Sequence, residues 1–165
     1  SPQTIKMLTT PYTISPYSFK STDIEKLSNL KPSPQLQNCI SLLVDNGYKI
    51  ACCSNSIRKT VLTVLSKLGI IEYFDLILSN EDVKNSKPHP EIYWEAMSMM
   101  NCLPEETLIV EDSPHGLLAA SRSRASILRV DNNEDLTYSK ILNKLRHKSH
   151  LIKNFNIFNK CLFFC

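Results

Sequence analysis

The residues able to do chemistry in this 165-residue chain are polar groups that come directly after short apolar runs. Leu108-Ile109-Val110 has strand character and ends on two adjacent carboxylates, Glu111 and Asp112. Ser113-Pro114-His115-Gly116 then leads into a small-residue run with helical character through Ala119 and Ala120. The carboxylates therefore stand on a strand-to-helix turn. Two hard oxygen donors beside a helix N-terminus, which favours negative charge, suit Mg2+ bound together with a phosphate. A plainer role also fits, because acidic residues at a helix start cap free N–H groups and complement the helix dipole.

Two further places join them. Ser54 and nearby backbone N–H groups suit phosphate oxygens, Asn55 stands beside them, and Lys87 in Lys87-Pro88-His89-Pro90 suits neutralising their charge. Each has its alternative: Ser54 and Asn55 as caps of the following helix, Lys87 as an exposed loop lysine. His89 and His115 have no partner at a telling spacing and read as surface or turn residues. Trp94, Met97, Met99 and Met100 read as core and flank packing.

The elements that must position these groups alternate. Leu36, Ile40, Leu43 and Val44 recur at helical spacing up to Gly47, and the apolar strand Tyr48 to Cys53 comes next. A second helix carries Val61, Leu62, Leu65 and Leu68 up to Gly69, and Phe74 to Ser79 reads as the next strand. Ile92, Tyr93, Ala96, Met97 and Met100 mark a third helix with Pro90 near its first turn. A strand from Thr107 to Asp112, a helix from about Pro114 to Arg124 and a strand from Ser126 to Asp131 complete the series. This rhythm predicts a parallel sheet with right-handed crossovers, and the carboxyl ends of its strands, where open α/β sheets keep ligands, bring Ser54, Lys87, Glu111 and Asp112 to one edge.

Composition narrows the class. An apolar fraction of 42% and a charged fraction of 21% fit a globular chain, and a net charge of +3 is too small to argue for nucleic acid. The basic run from Lys140 to Lys160 reads as a solvated helix face. No basic start precedes an apolar core, and no apolar run is long enough for a bilayer, so the expectation is an intracellular, cytoplasmic protein without membrane contact. The six cysteines form no Cys-x-x-Cys pair and no zinc spacing with histidine, which predicts buried reduced thiols, with Cys161 and Cys165 open to oxidation.

The stretch from about Leu36 to Asp131 resembles the haloacid dehalogenase superfamily of phosphatases and phosphomutases, and within it the branch that includes β-phosphoglucomutase. The resemblance rests on Ser54-Asn55 after a strand, on Lys87-Pro88-His89-Pro90-Glu91-Ile92-Tyr93, and on Glu111-Asp112-Ser113-Pro114-His115-Gly116 followed by Ala119-Ala120. Leu68-Gly69-Ile70 and Tyr73-Phe74-Asp75 add to it. It implies a Rossmann-like three-layer α/β core, Mg2+ dependence and phosphoryl transfer on a small phosphorylated molecule. Ser54, Asn55 and Lys87 would then contact the phosphate, with Lys87 catalytic, and Glu111 and Asp112 would hold the metal.

The departures matter as much. The family's first motif, Asp-x-Asp-x-Thr/Val on the opening central strand, supplies the nucleophile, and no Asp-x-Asp occurs in this chain. Residues 1–31 read as a linker or cap remnant, 32–150 as the core, and 151–165 as an apolar tail that does not look like the family's closing elements and whose role stays open between covering the exposed sheet edge, binding a partner and disorder. The expectation is a core without its N-terminal strand and most of its cap, either a piece of a longer protein or a degenerate relative. Such a core would expose apolar sheet edges that invite a protein partner, with the tail as another route to one. It would hydrolyse weakly or not at all, because no carboxylate attacks phosphorus. The second reading is a non-catalytic phosphate- or partner-binding module. Arg124, where the family has glycine, would cost about 1 kcal/mol if held left-handed.

Overall fold

The computed structural model describes residues 27–131, 136–151 and 161–164. Most of the 1–31 segment, residues 152–160 of the tail and Cys165 lie outside them. Helix α1 spans Pro34–Asp45; its start is set by Ser33, whose side chain accepts the Leu36 N–H, and by Pro34 in the first turn. It ends before Gly47, and α2 (Arg58–Lys67) ends before Gly69. Both glycines hold left-handed φ, +84° and +72°, which lets the chain turn sharply into the next element. The other elements are β1 (Lys49–Cys53), β2 (Leu76–Leu78), α3 (Glu91–Met100), β3 (Thr107–Glu111), α4 (Pro114–Ser123), β4 (Ser126–Arg129), α5 (Tyr138–Leu151) and β5 (Cys161–Phe164). Arg124 does close α4 in the left-handed region, with φ of 68°.

Every strand pairing is parallel, and the order across the sheet is β2-β1-β5-β3-β4. Period-two side-chain alternation splits each strand between two cores. On one face Ile50, Cys52, Leu108, Val110, Leu162 and Phe164 pack with apolar residues of α1, α2 and α5. On the other, Ala51, Cys53, Ile109 and Phe163 pack with Ile92, Tyr93 and Met97 of α3 and with Ala119 and Ala120 of α4. This is the predicted three-layer α/β architecture. Trp94 and Met99 instead face outward, 49% and 42% exposed. Among the described residues no helix is long and apolar enough to cross a membrane.

Of the roles open to the tail, covering the sheet edge is the one the structure shows. Strand β5, from the tail, lies between β1 and β3: Leu162 pairs with Ile50 on one side and Leu108 on the other, and Phe164 with Cys52 and Val110. Its four residues are buried. A short apolar segment gains most where both edges and both faces are covered, which is the environment a central parallel strand provides. These residues are therefore not a surface for a partner, and the edge expected to be exposed between β1 and β3 is closed.

The cysteines need a second correction. Cys39, Cys52 and Cys53 are buried thiols, and burial pushes the Cys39 thiol up to about 11. Cys102 and Cys161, 59 positions apart, form a disulfide. Their pairing comes from the insertion of β5 beside the loop after α3, a proximity that local spacing cannot reveal.

Phe163 is fully buried and stacks on Tyr93, with ring centroids 6.5 Å apart and planes 8° from parallel. Phe163→Ala is expected to lower the unfolding free energy by about 3–5 kcal/mol, measured by urea titration. A loss under about 1 kcal/mol would mean that β5 does not form the centre of the sheet in solution.

Candidate active site

Glu111, the last residue of β3, lies with its side chain inside the protein, 2% exposed, and both of its oxygens are engaged. Oε2 accepts from Lys87 Nζ at 2.9 Å and from the Tyr93 hydroxyl at 2.8 Å. Oε1 accepts from the backbone N–H of Asp112 and of Ser113, both at 3.0 Å, and from Ser113 Oγ at 3.1 Å. A carboxylate with this many donors has its charge compensated and its orientation fixed. In this geometry Glu111 anchors Lys87 and the turn that carries Asp112.

Lys87 is 7% exposed, so the exposed-loop reading fails. Its ammonium donates to the Cys53 carbonyl at 2.8 Å as well as to Glu111, bridging the carboxyl ends of β1 and β3 across the width of β5. The ring of Tyr93 lies 4.9 Å from it, close enough for a cation–π contribution. The backbone holding it is itself tied down. Asn55 Oδ1 accepts the Lys87 N–H at 3.2 Å, and the Glu91 carboxylate accepts the N–H groups of Lys84 and Asn85 at 2.8 and 2.9 Å. Those bonds, the Lys84 N–H foremost, hold the Glu91 carboxyl below its ordinary range.

Ser54 and Asn55 do not cap α2, whose N-cap is Ile57 without a side-chain bond. Ser54 Oγ accepts the Ser56 N–H at 3.2 Å and shapes the turn after β1, while Asn55 serves as the tether of Lys87. Asp112 is exposed at the crest of the β3–α4 turn. Partial desolvation, then the hydrogen bond and the charge of Glu111, push its carboxyl above the ordinary aspartate range. His89 and His115 are exposed, and His89 Nδ1 accepts the Glu91 N–H.

The structure thus gathers Ser54, Asn55, Lys87, Glu111 and Asp112 at one edge of the sheet, and it adds residues for which the sequence carried little signal. Tyr93 reads as an ordinary core position of α3, yet its hydroxyl is aimed at Glu111. Ser113 caps α4 by accepting the Gly116 N–H at 3.0 Å while donating to Glu111. Gly116 is the glycine that close approach requires, because a Cβ there would overlap the Glu111 carboxylate. Farther along the same edge, Arg58 and Asp82 form a largely buried ion pair at 2.7 Å that joins α2 to the loop after β2. Among the described residues no three histidine, cysteine, aspartate or glutamate side chains come together as a metal cage.

The family model of haloacid dehalogenase-like hydrolases matches residues 5–130. Over 94 residues the chain is 32% identical to the pyrophosphatase PpaX of Halalkalibacterium halodurans, 57% of this chain and 44% of that protein. Over 91 residues it is 32% identical to the phosphorylated carbohydrates phosphatase of Thermotoga maritima, 55% of this chain and 42% of that protein. The chain thus spans under half the length of these relatives. Among solved structures, β-phosphoglucomutase from Clostridium difficile superposes with a TM-score of 0.65 at 24% identity, covering 79% of this chain and 64% of that one, which is a likeness of fold.

The geometry makes two outcomes testable. Lys87→Ala strands a buried carboxylate and is expected to lower stability by about 3–5 kcal/mol, whereas Tyr93→Phe removes one bond to a charged acceptor and is expected to lower it by about 1.5–3 kcal/mol. Equal, small effects by urea titration would contradict the buried pair. For Asp112 the folded pKa is raised, so the native state binds the proton more tightly and stability falls as pH climbs from the ordinary aspartate value upward. Asp112→Asn removes that part of the slope, and melting temperatures across acidic pH would show it.

Proposed function

The chain belongs to the haloacid dehalogenase-like hydrolases, and from that membership we propose that its sheet edge binds the phosphoryl group of a small phosphorylated molecule with Mg2+ held at Asp112. The observation that carries this reading is the buried Lys87–Glu111 pair between the carboxyl ends of β1 and β3. A lysine held there by a carbonyl and a carboxylate keeps a fixed positive charge beside Ser54, and its position needs no rearrangement when an anion arrives. The Ser54 hydroxyl is a further donor to phosphate oxygens. Asn55 acts one step back, through Lys87.

Mg2+ characteristically takes one or two carboxylates and completes its octahedron with phosphate oxygens and water. Asp112, exposed and one residue beyond the anchored Glu111, fits as the carboxylate that would hold it. When bound, the ion supplies charge neutralisation and Lewis acidity at the phosphoryl oxygens. Glu111 contributes by fixing the turn from which Asp112 projects.

Relatives that carry the names phosphatase and pyrophosphatase support phosphoryl transfer as the chemistry of the whole protein, and in this reading residues 27–131 supply the phosphate and metal side of it. Without an Asp-x-Asp pair, the chain has no carboxylate for attack on phosphorus, so turnover by this chain is weak or absent. A non-catalytic phosphate-binding module is the second reading. It is favoured by one feature: the central strand at the site is the apolar Cys161–Phe164.

The test is calorimetric titration of inorganic phosphate with and without Mg2+, beside phosphate release from an aryl phosphate and a sugar-phosphate panel. Phosphate is expected to bind, Mg2+ to strengthen it, and Asp112→Asn to remove the Mg2+ effect while leaving the fold intact. Release should stay near background. Turnover abolished by Asp112→Asn would overturn the inactive reading, and the absence of phosphate binding would overturn the site.

A further inference from the structure

Behind the polar edge lies a cavity of about 310 Å3 that runs between the sheet and the helices α1 and α2. Most of its lining side chains are apolar, Ile40, Val61, Val64, Leu65, Phe74 and Phe164 among them. Polar groups gather among its lining residues in one set: Ser54 and Ser56 after β1, Thr60 in α2 and Asp112 after β3. Ser54 and Asp112 are the two residues that the cavity shares with the phosphate edge.

Resting on the phosphate reading of that edge, we propose that the cavity selects the organic part of the substrate, and that the ligand is a compact phosphate monoester with an apolar body. The volume stands at the low end of those that hold small molecules, which sets the size of the body. The wall sets its chemistry. A ring or short hydrocarbon placed against the apolar side chains is removed from water, whereas a polyhydroxylated sugar would bring hydroxyls against Ile40, Leu65 and Phe74, where they find no partner.

One polar atom in the wall refines this. Thr60 Oγ1 is buried and has no hydrogen-bond partner among the described residues. Buried polar atoms are nearly always satisfied, so an orphan hydroxyl that lines a cavity marks where a ligand oxygen or nitrogen completes the set. The ligand that fits carries its phosphate at the Ser54–Asp112 end, one polar atom within reach of Thr60, and apolar surface beyond.

Calorimetry with three probes tests this: inorganic phosphate, phenyl phosphate and glucose 1-phosphate, each with Mg2+ present. Phenyl phosphate is expected to bind about tenfold or more tightly than the other two, the effect of burying one aromatic ring. Val64→Phe, which fills the chamber from a half-buried position, should remove that advantage and leave the affinity for inorganic phosphate unchanged. If inorganic phosphate binds but the two esters bind alike, or if Val64→Phe leaves the preference for phenyl phosphate intact, the chamber does not choose the ligand and this inference fails while the phosphate site stands. If none of the three binds, the phosphate site itself fails and the inference falls with it.

Discussion

A lysine ammonium and a glutamate carboxylate, 2.9 Å apart and closed off from water, decide how this sheet edge is built. Neither charge is tolerable there alone, since removing one partner leaves the other buried and uncompensated. The pair therefore obliges the loop after β2 to deliver Lys87 to the end of β3, and β3 to end where it does. The remaining bonds serve this obligation. Tyr93 and Ser113 fill the other acceptor sites of Glu111, Gly116 leaves room for the carboxylate, and Asn55 and Glu91 hold the loop from two sides. The result is a fixed positive charge beside a fixed turn, with Asp112 the carboxylate of the turn that faces outward.

The centre of the sheet is the second constraint. β1 and β3 carry the two halves of the site, and β5 sets their separation by pairing with both. Lys87 spans that separation. Any loosening of β5 is therefore felt at the site, through the ladder and also through Phe163, which packs against the same Tyr93 that braces Glu111. The disulfide from Cys102 to Cys161 ties the start of β5 to the loop leaving α3, so the strand is anchored to the helix that contributes Tyr93.

The two faces of the sheet divide the work. The side packed by α3 and α4 holds the charge pair; the side packed by α1, α2 and α5 contains the chamber. Ser54 and Asp112 sit where the two meet. In the proposed reading, such an arrangement would separate recognition of the phosphoryl group from recognition of the body it is attached to, because the first depends on fixed charge and the second on shape and burial.

How far the sequence reached is clear from particular residues. The alternation of strands and helices was legible from apolar periodicity and from Gly47 and Gly69 at helix ends, because these signals are local and the backbone answers to them directly. The convergence of Ser54, Lys87, Glu111 and Asp112 was legible once the strands were taken as parallel, since parallel strands share a carboxyl edge. Two further points were not. That Glu111 turns inward to serve Lys87 while Asp112 turns outward depends on Tyr93 and Ser113, which meet it only in the folded chain. That Cys161–Phe164 occupies the middle of the sheet, and thereby meets Cys102, depends on a vacancy between two strands read from distant parts of the chain. Local pattern specifies which face of an element is apolar; which partner covers that face, and which of two neighbouring carboxylates is buried, is settled by packing among residues far apart in sequence.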